Sequence, residues 1–160
     1  MIRLNRMTDY AVVVLGMLNI NGRRHGVSPM SASEIASRTG ISQPATAKIM
    51  KLLAQAGLVE ATRGKDGGYA LARDGGSISI AEIIEALEGP IALTACVEGA
   101  SDPCASRHHC FISGNWQKVN AAISGALHDV TLAELVDPDH MFEPLDATPS
   151  ADNLNLKGVL

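Results

Sequence analysis

The stretch SASEIASRTGISQPATAKIMKLLAQAGLV, residues 31–59, constrains the fold most. Ser31 with Glu34 forms a capping-box pattern, in which hydroxyl and carboxylate satisfy free backbone N–H groups at a helix start. Gly40 stops that short helix. Ser42 then reads as the cap of a second helix, about 43–56, with Pro44 tolerated in its first turn. Ala45, Ile49, Leu52, Leu53 and Ala56 form its apolar stripe, and Gly57 ends it. The order is therefore helix, tight turn, helix.

The flanks extend this order. Leu4, Met7, Ala11, Val14, Leu15 and Leu18 repeat at helical spacing, predicting a helix over 4–20 that Asn21-Gly22 ends. After Gly57, two short β-prone runs enclose the basic, glycine-rich turn Arg63-Gly-Lys65-Asp-Gly-Gly, predicting a hairpin. Ser79 with Glu82 opens a helix over 80–88, which Gly89-Pro90 closes. Helix, turn, helix and hairpin in this order read as a winged helix-turn-helix, whose second helix is narrow enough to enter a major groove. The face expected to read bases carries Gln43, Thr46, Ala47, Met50 and Lys51, with Ser42, Pro44 and Lys48 beside it. Gln pairs with adenine, Thr and Met touch a thymine methyl, and Lys reaches guanine or phosphate. Arg63 and Lys65 at the hairpin tip suit a narrow minor groove.

Charge supports a DNA partner. The net charge of −4 divides into +5 over residues 1–75 and −9 over 76–160. A basic half and an acidic remainder fit double-stranded DNA bound by one part only. The same amphipathic helices would also suit a protein contact with solvated charges.

All three cysteines lie in 91–114, a predicted loop, as Cys96-x7-Cys104-x5-Cys110. That spacing is too wide for the paired knuckles of common zinc sites. Soft thiolates close together suit an iron–sulfur cluster, a thiol redox switch, or simply three free cysteines. A cluster with three cysteines needs a fourth ligand, and His108 or His109 is the nearest other donor. From 115 to 128 a helical stripe returns with Trp116, Val119, Ile123, Ala126 and Leu127, and Thr131 with Glu134 caps a last turn. Residues 137–160 read as a poorly ordered acidic tail. The expected architecture is mainly α with a β-hairpin wing: a DNA-binding unit over 1–90, a cysteine loop over 91–114, and helices over 115–136.

Other classes fit poorly. The longest uncharged, mostly apolar stretch, Tyr10 to Gly22, is too short to span a bilayer, and the charged start does not suit a signal peptide, so a cytoplasmic protein is expected. An odd cysteine count argues against a secreted disulfide framework. No nucleophile–base set or phosphate-cradling loop suggests an enzyme.

Taken together, RLNRMTDYAV, the helix pair, TRGKDGGYALAR, ISIAEIIEALEG, the cysteine loop and VTLAEL resemble the iron–sulfur-binding winged-helix regulators of the IscR/NsrR/RirA family over about residues 1–136. EALEGPIALTAC with NWQKVNAAISGALHDVTLAEL is most similar to the branch that regulates SUF cluster assembly. The resemblance implies cluster ligation by Cys96, Cys104 and Cys110, DNA contact by Arg63, and a homodimer on a near-palindromic operator. It implies a long dimerisation helix at about 115–128, although a stripe packed within one subunit would look the same. IscR-like members use a histidine three residues after the last cysteine, where this chain has Ser113. NsrR-like members use an aspartate of the first helix from the other subunit, which here is Asp9. Asp9 is thus the expected fourth ligand, and [4Fe–4S] is favoured over [2Fe–2S]. The resulting expectation is a repressor that senses cluster or iron status and controls assembly or iron-handling genes. The alternatives are a metal-free thiol or nitric-oxide-responsive regulator, and an iron–sulfur carrier that does not bind DNA.

Overall fold

In the computed structural model, residues 4–26, 28–64, 67–106, 109–112 and 114–136 are described. The expected tail at 137–160, together with Lys65, His108 and Ser113, lies outside them. The elements are α1 (Arg6–His25), α2 (Ala32–Thr39), α3 (Gln43–Gln55), β1 (Val59–Thr62), β2 (Gly68–Leu71), a 3₁₀ turn (Gly75–Ser77), α4 (Ile80–Glu88), α5 (Asn115–Asp129) and α6 (Leu132–Leu135). This is the expected winged helix-turn-helix architecture. No helix among the described residues is long and apolar enough to cross a membrane.

Helix α1 starts at the Asn5 cap, whose side chain accepts from the Met7 N–H, and buries Ala11, Val14, Leu15 and Leu18. It runs past the expected stop at Asn21-Gly22. Asn21 is buried, and its amide donates to the Ser28 carbonyl at 2.9 Å, so it ties down the following loop without breaking the helix. The helix ends at Gly26, whose φ of 72° suits a residue without Cβ.

Helix α2 carries the expected Ser31 cap and a left-handed Gly40 at its end. Helix α3 packs against α1, α2, α4 and β1. Ile35, Ile49, Met50, Leu53, Leu58, Ile78 and Ile83 join the α1 face in one core. The antiparallel hairpin pairs Val59 with Leu71 and Thr62 with Gly68. A third piece of backbone joins it: Met30 exchanges both hydrogen bonds with Tyr69, at 2.9 and 2.8 Å. A Cβ on Gly68 would lie 2.6 Å from the Met30 backbone, so that close approach requires glycine.

Both expected downstream capping boxes form, at Ser79/Glu82 and Thr131/Glu134. Burial disfavours the Glu82 carboxylate, but the Ser79 N–H, the Arg73 guanidinium and the Ser79 hydroxyl more than offset it, holding its pKa below the usual range. The chain leaving α5 returns to the start of α4. Ile80 N–H donates to the Val130 carbonyl at 2.9 Å, and Leu132 N–H to the Ile78 carbonyl at 2.8 Å. Leu132 is buried there, anchoring the C-terminal end of α5 to the winged helix.

Candidate nucleic-acid interface and cysteine site

The outer face of α3 is built from residues four apart. Gln43, Ala47, Lys51 and Gln55 form one exposed row, and Pro44 with Lys48 forms a second beside it. Ser42, at the head of the helix, is exposed. Its backbone carbonyl accepts from the Thr46 N–H and hydroxyl, while its own side chain makes no cap bond, contrary to the expected hydroxyl cap. Two expected base-reading residues are corrected. Thr46 and Met50 are both 0% exposed. They lie with Ile49 and Leu53 on the inward face, because α3 is enclosed by four elements and needs an apolar face wider than one stripe. Ala56, expected in the stripe, is exposed.

Lys48, Lys51 and Arg63 are exposed and make no ion pair among the described residues. On α2, Arg38 is already engaged by Glu34 at 3.0 Å. Arg63 follows β1 directly, at the hairpin tip. The hairpin tip and the outer face of α3 thus each present exposed cations, the kind of group that phosphates attract.

The cysteine loop leaves α4 at Gly89 and has a firm first arm. Ile91 packs against the core, and Val97, next to Cys96, is buried. Cys104 N–H donates to the Ala95 carbonyl at 2.9 Å, which lays the second cysteine against the first. The three thiols are free and half-buried. Partial burial, the hydrogen-bonded Cys104 thiol beside it and the charge of Cys110 raise the Cys96 pKa, with the Thr94 hydroxyl opposing.

Asp9 is exposed on α1 and His109 is exposed near Cys110. Among the described residues, no three His, Cys, Asp or Glu side chains stand close enough to hold one metal ion. A polynuclear cluster spreads its thiolates over several irons and asks for a wider set. Three half-buried thiols on one loop fit such a centre chemically, because soft cysteine sulfur is the usual ligand of cluster iron.

Several residues that hold the site carried no sequence signal. Glu88, the last residue of α4, accepts from the Asn5 N–H at 2.9 Å and from the Thr8 hydroxyl, joining the Asp9 end of α1 to the root of the loop. Asn120 and Gln117 of α5 bond to the loop backbone. The α5 stripe also divides. Trp116, Val119 and Ala126 face outward and Ile123 is half-buried, whereas Leu127 turns toward its own core. Phe111 and Ile112, just before α5, are exposed too.

A winged helix-turn-helix followed by a cysteine-bearing loop and a trailing helix is the architecture of a DNA-binding transcriptional regulator. The Rrf2 family profile, described as "Iron-dependent Transcriptional regulator", matches residues 4–138, and the chain belongs to that family. The chain is 30% identical over 141 residues to the HTH-type transcriptional regulator IscR of Klebsiella pneumoniae, covering 88% of this chain and 83% of that one. Among solved structures, IscR of T. potens superposes with a TM-score of 0.63 at 27% identity, covering 89% of this chain and 94% of that one. CymR, the global cysteine regulator of B. subtilis, gives a TM-score of 0.63 at 27% identity, covering 85% and 97%. These relatives are regulators, not enzymes, and membership sets aside the carrier expectation.

Proposed function

We propose that the chain is a homodimeric repressor that binds a near-palindromic operator and reports iron–sulfur cluster status through a cluster on Cys96, Cys104 and Cys110. Its genes are those of cluster assembly or iron handling. The observation that carries this reading is that all three cysteines are free and half-buried on one loop between the winged helix and α5, with the Cys104 N–H bonded to the Ala95 carbonyl next to Cys96. A bound cluster would supply a cationic iron centre whose presence depends on iron, oxygen or nitric oxide. Asp9 of a second subunit is the fourth ligand and favours [4Fe–4S]; its exposure on α1 leaves it free to reach across a dimer.

Protein isolated without oxygen is expected to be coloured and to contain iron and sulfide. Removing them with a chelator is expected to change operator affinity at least about tenfold, a coupling of about 1.4 kcal/mol. Equal affinities before and after chelation sink the switch. Absence of iron and sulfide after attempted reconstitution sinks the cofactor.

In this reading Gln43 contacts a base, Ser42, Pro44, Lys48 and Lys51 line the groove, and Arg63 enters the adjacent minor groove. Gln43→Ala is expected to relax preference at one base pair by about 1–3 kcal/mol. Lys51→Ala is expected to weaken all duplexes alike and lower the logarithmic salt slope by about 1. Thr46→Val is expected to leave base preference unchanged, since its side chain is buried. Selection from duplex libraries at two salt concentrations separates the three outcomes.

A thiol switch is the second reading, favoured by the Cys104 N–H to Ala95 carbonyl bond, which brings Cys104 to the turn that carries Cys96, and by the likeness to CymR. It predicts colourless protein that loses two hydrogens on mild oxidation and changes its operator affinity on doing so.

A further inference from the structure

We propose that Asn120 is a positioning residue that makes the first arm of the cysteine loop and helix α5 move as one body. This rests on the cluster reading and goes beyond it by assigning where the sensor is coupled to the dimer helix.

Helix α5 has one buried residue, and it is an asparagine, 7% exposed. That is an unusual choice. Asparagine is a weak helix former, and a buried amide is costly unless its hydrogen bonds are made. Here both ends are used. Nδ2 donates to the Ile91 carbonyl at 2.9 Å, and Oδ1 accepts from the Leu93 N–H at 2.9 Å. The side chain pairs with the arm as a strand neighbour would, meeting two backbone groups two residues apart. One turn earlier on α5, Gln117 Oε1 accepts from the Glu98 N–H at 3.1 Å. The arm is thus tied to α5 at both of its ends.

Cys96 stands between these ties. Val97 N–H donates to the Thr94 carbonyl at 3.3 Å, and Cys96 N–H to the Thr94 hydroxyl at 3.4 Å, forming the turn that carries the thiol. Cys104 hangs on the same turn through Ala95. Movement of this thiol pair must therefore be followed by α5 or must break the bonds of Asn120. The outward face of the same helix carries Trp116 and Val119, so the movement reaches whatever that face contacts.

The test uses the full chain with Asn120→Ala and Asn120→Asp. In cluster-free protein, Asn120→Ala is expected to speed amide exchange over 91–98 about tenfold, with α1 to α4 unchanged. Asn120→Asp keeps the acceptor for Leu93 and is expected to give an intermediate effect. Operator affinity is then compared with and without cluster, on a duplex selected from a random pool by the wild-type protein. For Asn120→Ala the ratio of the two affinities is expected to fall toward one, while cluster-free affinity stays within about twofold of wild type. Asn120→Asp retains part of the response. Unchanged exchange overturns the clamp. Faster exchange with an unchanged ratio reduces Asn120 to a packing residue and overturns its coupling role. Wild-type protein that takes up no iron or sulfide overturns the reading beneath, and this is distinguishable because the exchange measurement needs no cluster.

Discussion

Cys96→Ala, Cys104→Ala and Cys110→Ala are each expected to yield colourless protein after anaerobic reconstitution, with operator affinity fixed at the cluster-free value. Each thiolate is one of three, so no spare ligand remains when one is removed. The affinity ratio between reconstituted and chelated protein, about tenfold or more in wild type, should become one. Folding is not expected to account for this. The three thiols are half-buried on a loop outside the hydrophobic core, so thermal midpoints should stay within a few degrees of wild type. Absorption spectra, iron and sulfide counts and binding isotherms on the same preparations supply the check. A cysteine variant that retains full colour and switching removes that residue from the ligand set. Asp9→Ala probes the fourth position. It is expected to keep iron but shorten cluster lifetime and shift the spectrum. An unchanged spectrum and lifetime would reject Asp9 and turn attention to His109, which is exposed beside Cys110.

What the sequence disclosed was local. Ser31, Ser79 with Glu82, and Thr131 with Glu134 act on backbone groups three residues away, and Gly40 acts at its own φ, so each leaves its mark within a few positions. The hairpin was legible for the same reason. Long-range partners were not. The bond between Met30 and Tyr69 crosses the helix pair, Glu88 reaches back to Asn5, and Asn120 clamps residues 27 and 29 positions away. Thr46 and Met50 show the limit within one helix. Their types suit a groove, and a single apolar stripe on α3 leaves them facing outward, but four packed neighbours widen the buried arc. Burial depends on what surrounds an element, and the helix's own periodicity does not contain that information. In the candidate site, spacing brought the cysteines to notice, while the arm that holds Cys96 against Cys104 depends on Val97 and on the amides of α5.

Trp116→Glu combined with Val119→Glu is expected to convert a dimer to a monomer and weaken operator binding about a hundredfold or more. Trp116 is 38% and Val119 44% exposed on the outer face of α5, and Phe111, four residues before the helix, is 95% exposed. Such a surface favours association with a second copy, because pairing two apolar faces removes both from water. Carboxylates placed there remain solvated in a monomer but would be buried without partners in a dimer, a cost of several kcal/mol per group. The fold itself loses little, since neither side chain belongs to the core around Leu15, Ile49 and Leu132. DNA binding suffers through geometry. A dimer that has seated one reader holds the second near its half-site, and a monomer must bind each half-site independently. The salt slope should fall to about half, because half the phosphates are neutralised in each event. Sedimentation velocity gives the oligomeric state, and titrations at several salt concentrations give affinity and slope. A double variant that remains dimeric with unaltered operator affinity would place the dimer contact elsewhere on the chain. Monomers that kept wild-type affinity would instead break the link between α5 and paired recognition.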